Sequence, residues 1–279
     1  MSRLGLSLLA ASALAACATT GEHANADNAG SVAQNSPDGA ARQRSARAIP
    51  RTPDRRAREQ IAHQDMLTQM AFWAGEYDTF PNDLEAAQRF AEALRKGGRA
   101  DRAVSIAQEA LQRFPNDRPL TLTYGLAQIA ARNPQEAVRP LTIIAAGDPR
   151  DWRVRSALGA ALDQLGRFAE ARQAYQEALA LAPNDPSVLT NMGVSHLMEG
   201  DPAGAEPLLR QAMTQPNAPA QSRQNLAIAV ALQGRFDEAQ QLERIDLPPA
   251  QAAANIEYLR GLLSDPHRWG DVAQQRAGR

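Results

Sequence analysis

One cysteine and four histidines are the residues of this 279-residue chain whose types could support nucleophilic or metal chemistry. The single thiol, Cys17, excludes an intramolecular disulfide and any CxxC metal site. His23, His63, His196 and His267 are far apart in sequence, and none has the spacing of metal ligands. The sequence also lacks a glycine-rich phosphate loop and a nucleophile motif. We therefore expect no enzyme, no metal and no cofactor, and Cys17 needs another explanation.

Cys17 closes an apolar stretch near the N-terminus. Arg3 is followed by thirteen small or apolar residues, Leu4–Ala16, which are too few to span a membrane but match a secretory signal peptide. Cleavage after the ALA at 13–15 would leave Cys17 without a role. The alternative, which we favour, is that LAAC at 14–17 resembles the lipobox of bacterial lipoproteins, because a thiol is a good nucleophile for accepting a diacylglyceryl group. Residues 1–16 are then a lipoprotein signal peptide and Cys17 is the lipidation site.

The residues after Cys17 predict where the protein is held. More than one acyl chain anchors a protein stably. Ala18 stands where an Asp would resemble an inner-membrane retention signal, so we expect an outer-membrane lipoprotein facing the periplasm. Residues 17–55 have no hydrophobic periodicity and predict a disordered tether with a reach on the order of 30 Å. The arginines near its end favour either contact with anionic lipids or cell-wall polymer, or a solvated linker.

The composition of the whole chain favours helices and excludes a general nucleic-acid binder. Hydrophobic residues make up 44% of the chain but aromatic residues only 5%. Alanine and leucine account for much of the apolar share, and both are strong helix formers. The formal net charge is −1, so no overall positive field would attract nucleic acid. An all-α fold is therefore expected, without a nucleic-acid partner.

A period of 34 residues runs through residues 84–253. Within each unit, position 8 is Gly or Ala and position 20 is Ala in all five, and position 15 is Gly in four. Small residues at positions 8 and 20 allow two helices to approach where they cross, and Gly at position 15 suits the left-handed turn that ends the first helix. This pattern resembles the tetratricopeptide repeat (TPR), which implies a right-handed solenoid with a concave groove. The predicted units are 84–117, 118–151, 152–185, 186–219 and 220–253.

Further segments flank the predicted repeats. Residues 56–83 predict an N-terminal helical segment, with Ile61, Met66, Leu67, Met70 and Trp73 as its large apolar residues. Residues 246–263 predict a capping helix with Ile256, Leu259 and Leu263 at helical spacing, as the end of a solenoid requires. Residues 264–279 predict a polar tail.

In TPR proteins the groove is lined mainly by the first helix of each unit, which implies a protein partner here. An apolar floor with two Asn residues 34 apart would suit a segment whose backbone bonds to Asn and whose side chains fill pockets. The alternative is that these Asn residues are ordinary members of the repeat pattern. His196 occupies a helix-packing position, so we interpret it as a core histidine. The predicted groove residues are Leu122, Leu126, Ile129, Asn191, Val194, Leu197, Met198, Asn225 and Ile228.

The end of the repeat array carries a more specific resemblance. RQNLA, GRFDEA, DLPPAQAAAN and YLR, within residues 223–263, are similar to the C-terminal signature of the TadD family, TPR lipoproteins of the tight-adherence (Flp) pilus system. That resemblance implies a pilotin-like assembly factor for the pilus secretin, with the secretin or other Tad components as partner. The alternative is a general envelope scaffold for outer-membrane protein assembly or cell-wall enzymes.

Overall fold

The computed structural model describes residues 54–264, and these residues form thirteen α-helices without a strand. The predicted signal peptide, Cys17, the tether up to residue 53 and the tail from residue 265 lie outside the described residues. The predicted all-α solenoid is confirmed. The helices are α1 Arg55–Ile61, α2 Met66–Thr79, α3 Leu84–Lys96, α4 Ala100–Arg113, α5 Arg118–Ala130, α6 Pro134–Gly147, α7 Trp152–Gln164, α8 Phe168–Leu181, α9 Pro186–Glu199, α10 Pro202–Met213, α11 Ala220–Leu232, α12 Phe236–Glu243 and α13 Pro249–Ser264.

Aspartates fix where the first helices of the repeats begin. Asp83, Asp117, Asp151 and Asp185, spaced by 34 residues, are the N-caps of α3, α5, α7 and α9. Each side chain accepts a hydrogen bond from a backbone N–H two or three residues later, which satisfies a donor that the helix itself leaves unpaired. The fifth repeat has Pro219 at this place and no side-chain cap.

A left-handed residue joins the two helices of every repeat. Gly98, Gly166, Gly200 and Gly234 have φ between 73° and 89°, which glycine adopts without a steric penalty. In the second repeat the same place is taken by Arg132, with φ 63°. The turn is therefore kept where the glycine is missing, at the cost of a strained arginine backbone.

We expect Arg132→Gly to raise the free energy of unfolding by about 0.5–1 kcal/mol. The strain of a left-handed arginine is relieved, while the greater freedom of glycine in the unfolded chain offsets part of that gain. Urea denaturation followed by circular dichroism would measure the change. Arg139→Gly is the matched control, because Arg139 is equally exposed but lies within α6, where glycine should cost about 1 kcal/mol. Destabilisation by both variants would contradict the prediction.

The helices form two layers. The first helices of successive repeats, α3, α5, α7, α9 and α11, contact one another in order, and α13 continues this inner row. Each second helix packs between the first helix of its own repeat and that of the next. The capping helix therefore occupies the place of the first helix of a sixth repeat. It buries Ile256, Leu259 and Leu262, whereas the predicted Leu263 remains 38% exposed.

The N-terminal segment contains two helices. It consists of α1 and α2, and α2 packs on α3 as a second helix of a preceding repeat would. Trp73 and Tyr77 are buried there, but Leu67 is 70% exposed. The buried guanidinium of Arg58 joins α1 to this junction, where it pairs with carboxylates on α2, at the α3 N-cap and on α3, namely Glu76, Asp83 and Glu85.

Candidate protein-binding groove

The inner row of helices carries the predicted groove residues. Leu122, Leu126 and Ile129 of α5 are half-buried and pack against a core cluster that includes Val154 and Ala157 of α7. The part of these three side chains that remains exposed is called the apolar strip of the inner row. Such a strip can accept apolar side chains of a partner segment.

The C-terminal part of the groove is more closed than the sequence predicts. Val194, Met198 and Ile228 are half-buried. Leu197 is only 4% exposed and Asn225 only 7%, so the expectation that these two residues offer a surface to a partner is wrong. Leu197 is covered because it belongs to the core cluster in which α9, α10 and α11 pack together.

Asn191 bonds within the protein. Its Nδ2 donates to the Ser156 Oγ at 3.1 Å, across the gap between α9 and α7. A similar bond joins the Thr190 and Ser222 hydroxyl oxygens at 2.6 Å, between α9 and α11. Asn191 therefore contributes to the stacking of repeats, and its partly exposed amide retains capacity for a further hydrogen bond.

A buried carboxylate under the groove was missed by sequence reasoning. Asp163 of α7 is 4% exposed and accepts hydrogen bonds from Ser195 Oγ at 2.6 Å and Tyr175 OH at 2.9 Å. Burial raises the pKa of Asp163 to about 6, although both bonds act in the opposite direction. The sequence does contain a signal for this carboxylate. Asp163 is at position 12 of the third repeat, and the residue at this position is apolar in three of the other four repeats, namely Ile129, Leu197 and Ala231.

His196 lies at the end of α9, with its Nδ1 3.0 Å from Asp201 Oδ2 and 19% of its side chain exposed. It contacts the turn into α10. Among the described residues no group of three or more His, Cys, Asp or Glu is arranged to hold a metal ion. None of the described helices is long and apolar enough to cross a membrane.

A second concavity of about 570 Å³ lies between α1, α2 and α3. Side chains of both charges line it, among them Arg55, Arg89, Glu59 and Glu92. Opposite charges at this spacing largely cancel, so the concavity does not select for one sign of ligand. The groove is the better candidate for a binding site.

Comparison with known proteins agrees with the repeat geometry. Two family models, both described as tetratricopeptide repeat, match residues 85–117 and 152–185. A TPR repeat-containing protein of Pseudomonas aeruginosa is 32% identical over 124 residues, which cover 44% of this chain. The chain spans only 21% of that relative's length.

Solved structures show the same fold. A thermophilic TPR protein of Thermus thermophilus superposes with a TM-score of 0.56 at 21% identity, covering 65% of this chain and 99% of its own. A tetratricopeptide repeat protein of Parabacteroides merdae gives a TM-score of 0.59 at 13% identity, covering 74% of this chain and 80% of its own. At these identities the likeness concerns the fold alone. From its 34-residue period, its paired helices and these matches, the chain has the fold of a tetratricopeptide repeat solenoid, and residues 85–117 and 152–185 match the tetratricopeptide repeat itself.

Proposed function

We propose that this chain is an outer-membrane lipoprotein, lipidated at Cys17, that binds a protein partner in its TPR groove and promotes assembly of the secretin of a tight-adherence pilus or a related secretion system. The observation that carries the binding role is the apolar strip of Leu122, Leu126 and Ile129 on the inner row. A fold of stacked repeats offers an extended surface of this kind for protein partners. The LAAC sequence supports the anchor, and the C-terminal motifs support the secretin.

The anchor restricts the search for a partner. A tether of about 35 residues would hold the solenoid within roughly 30 Å of the membrane on average, which raises the local concentration of the groove near membrane-bound proteins. A secretin subunit awaiting assembly in the outer membrane is a partner of this kind. No catalytic group is required for this role, because assembly depends on binding and placement.

The anchor predicts the behaviour of Cys17→Ser. The unchanged protein should incorporate labelled palmitate and sediment with the outer membrane, whereas Cys17→Ser should lose the label and most of its membrane association, since a hydroxyl does not accept the diacylglyceryl group. Thr20→Ser, a conservative change three residues away, is the matched control and should behave as the unchanged protein. Equal sedimentation of Cys17→Ser and the control would contradict the proposed anchor.

Site-specific photo-crosslinking separates the pilus role from the alternative scaffold role. A photo-reactive amino acid at Met198, on the inner row, should crosslink to secretin subunits in membranes, and the same probe at Ile143, which is 61% exposed on α6, should not. A strain without the protein should contain fewer secretin multimers. Crosslinking at Met198 to cell-wall enzymes, together with normal secretin multimers, would replace this proposal with the envelope scaffold.

A further inference from the structure

The capping helix α13 is a first helix without a second helix of its own among residues 54–264. In the five repeats each first helix packs on the second helix that follows it, whereas α13 packs on α11 and α12, which precede it. The side of α13 opposite the buried Ile256 and Leu259 therefore faces away from the stack. Glu257 lies in the middle of that side, with 73% of its side chain exposed.

Burial fixes the register of α13 within the repeat. Ala252, Ile256 and Leu259 are buried, and they fall at positions 3, 7 and 10 when Ala250 is taken as position 1. The residues at these positions of α11 are buried as well, namely Ser222, Leu226 and Ala229. Glu257 is then at position 8, where the five repeats have a buried Gly or Ala. In those repeats position 8 meets the second helix.

The contact between the two helices of a repeat is symmetric about the N-cap of the second helix. A Cβ on Gly193 would lie 2.7 Å from Leu209, and each of these residues is eight residues from the N-cap Asp201. The same spacing about the N-caps Asn133 and Arg167 relates the other two pairs, Gly125 with Leu141 and Gly159 with Tyr175. The N-cap of a further second helix would therefore predict which residues of α13 that helix meets.

The sequence that follows α13 has the start of a second helix. Asp265 and Pro266 come directly after α13, and an Asp-Pro pair also forms the N-cap and the first residue of α10. Residues 266–279 suffice for a second helix, since α4, α6 and α8 have 14 residues each. The apolar residues of this segment recur at helical spacing, namely Trp269, Val272 and Ala273.

We propose that the tail, residues 265–279, returns along α13 as the second helix of a sixth repeat. With Asp265 as the N-cap, the symmetric spacing places Trp269 on Gly261 and Ala273 on Glu257. Each pair joins a large side chain to a small one, so both crossings can close without a clash. Burial of the indole against the end of the stack supplies the driving force. The inference does not depend on the proposed partner or on the anchor.

The alternative is that α13 is itself the polar end of the solenoid. Glu257 pairs with Arg260 at 3.5 Å, and such a pair suits an end that faces water. However, Ala253, Ala254 and Gly261 on the same side of α13 are small and uncharged. The stem of Glu257 can lie along Ala273 while its carboxylate stays in water. The tail therefore accounts for the whole side, and a polar end accounts only for its charged pair.

Disulfide formation between α13 and the tail tests the pairing. Glu257→Cys with Ala273→Cys, in the full chain carrying Cys17→Ser, places the only two thiols at the predicted crossing. Asn255→Cys with Ala273→Cys is the matched control, because Asn255 is exposed on the other side of α13. Under the same mild oxidation we expect the first pair to form its intramolecular disulfide about tenfold faster than the control pair, since the bond requires neighbouring Cβ atoms.

Two outcomes of the oxidation would overturn the proposal. Equal rates for the two pairs would show that the tail reaches both sides of α13 and is not docked on either. Disulfide-linked dimers as the main product of the first pair would show that a second copy of the chain, and not its own tail, covers α13.

Hydrogen exchange tests whether Trp269 holds the tail in place. Trp269→Ala should make amide exchange in α13 about tenfold faster, because the helix loses its cover. His267→Ala is the matched control and should leave this exchange unchanged, since it is at position 18, which is exposed in all five described repeats. Unchanged exchange in both variants, or equal acceleration in both, would contradict the docking of the tail.

Discussion

Replacing Gly159 by alanine is expected to lower the free energy of unfolding by about 2 kcal/mol, although alanine is the better helix former. A Cβ atom on Gly159 would lie 2.6 Å from Cε1 and 2.7 Å from Cζ of Tyr175. The ring is 1% exposed and its hydroxyl donates to Asp163, so it cannot move away without opening the core. The clash costs about 3 kcal/mol, and the helix preference of alanine returns about 1 kcal/mol.

Gly75→Ala is the matched control for this change. Gly75 is also within a helix, α2, but it is exposed and a Cβ there would have no neighbour within 4 Å. Alanine should therefore stabilise the protein by up to about 1 kcal/mol. Urea denaturation of both variants, followed by circular dichroism, measures the two changes. If Gly159→Ala also proves stabilising, the close approach of α7 and α8 is not rigid, and the prediction is wrong.

The same close approach accounts for the glycine at position 8 of two further repeats. A Cβ on Gly125 would lie 2.7 Å from Leu141, and one on Gly193 would lie 2.7 Å from Leu209. The first repeat instead has Ala91 opposite Ala107, which leaves room for the extra methyl group. A single sequence reveals the 34-residue period and the small residue, and so it predicts the fold. The side chain that a Cβ at position 8 would meet, Leu141, Tyr175 or Leu209, becomes apparent when the crossing is seen.

The groove was predicted less completely than the fold, for a physical reason. Helical periodicity assigns residues to a face, and the inner helix of each repeat has one face that is divided between the groove and the contact with the next inner helix. Leu126 and Met198 remain half-exposed, whereas Leu197 and Asn225 are covered. How far each helix is rotated against its neighbour decides that division. This rotation depends on packing between repeats, which a periodic pattern does not encode.

The raised pKa of Asp163 could not be predicted from the sequence either, because three helices form the surroundings of this carboxylate. The sequence shows an acid on α7, but its donors come from α8 and α9, namely Tyr175 and Ser195. The charged groups that act on it are Arg172, which favours the carboxylate, and Glu199, which opposes it. Burial is the largest influence, and it favours the protonated acid.

We therefore expect the stability of the unchanged protein to fall, relative to Asp163→Asn, by about 3 kcal/mol as the pH rises from about 4 to above 7. The folded state holds the proton of Asp163 with a pKa of about 6, against an ordinary value of 3.8. The group therefore contributes its full stability below pH 3.8, and this contribution is lost as the pH rises through about 6. Asparagine has no such titration, so the difference between the two proteins isolates the effect.

Urea denaturation of both proteins across this pH range measures the difference. Tyr175→Phe provides a second check, because it removes a donor that stabilises the carboxylate. Its pH-dependent loss of stability should extend to higher pH than in the unchanged protein, since the pKa of Asp163 rises further when that bond is absent. Parallel stability curves for the unchanged protein and Asp163→Asn would show that the folded state holds the Asp163 proton no more tightly than the unfolded chain. Curves that converge at low pH, separate as the pH rises from about 4 to about 6 and run parallel above it would instead identify Asp163 as a buried charge that the stack of repeats tolerates at neutral pH, because Tyr175 and Ser195 both donate to it.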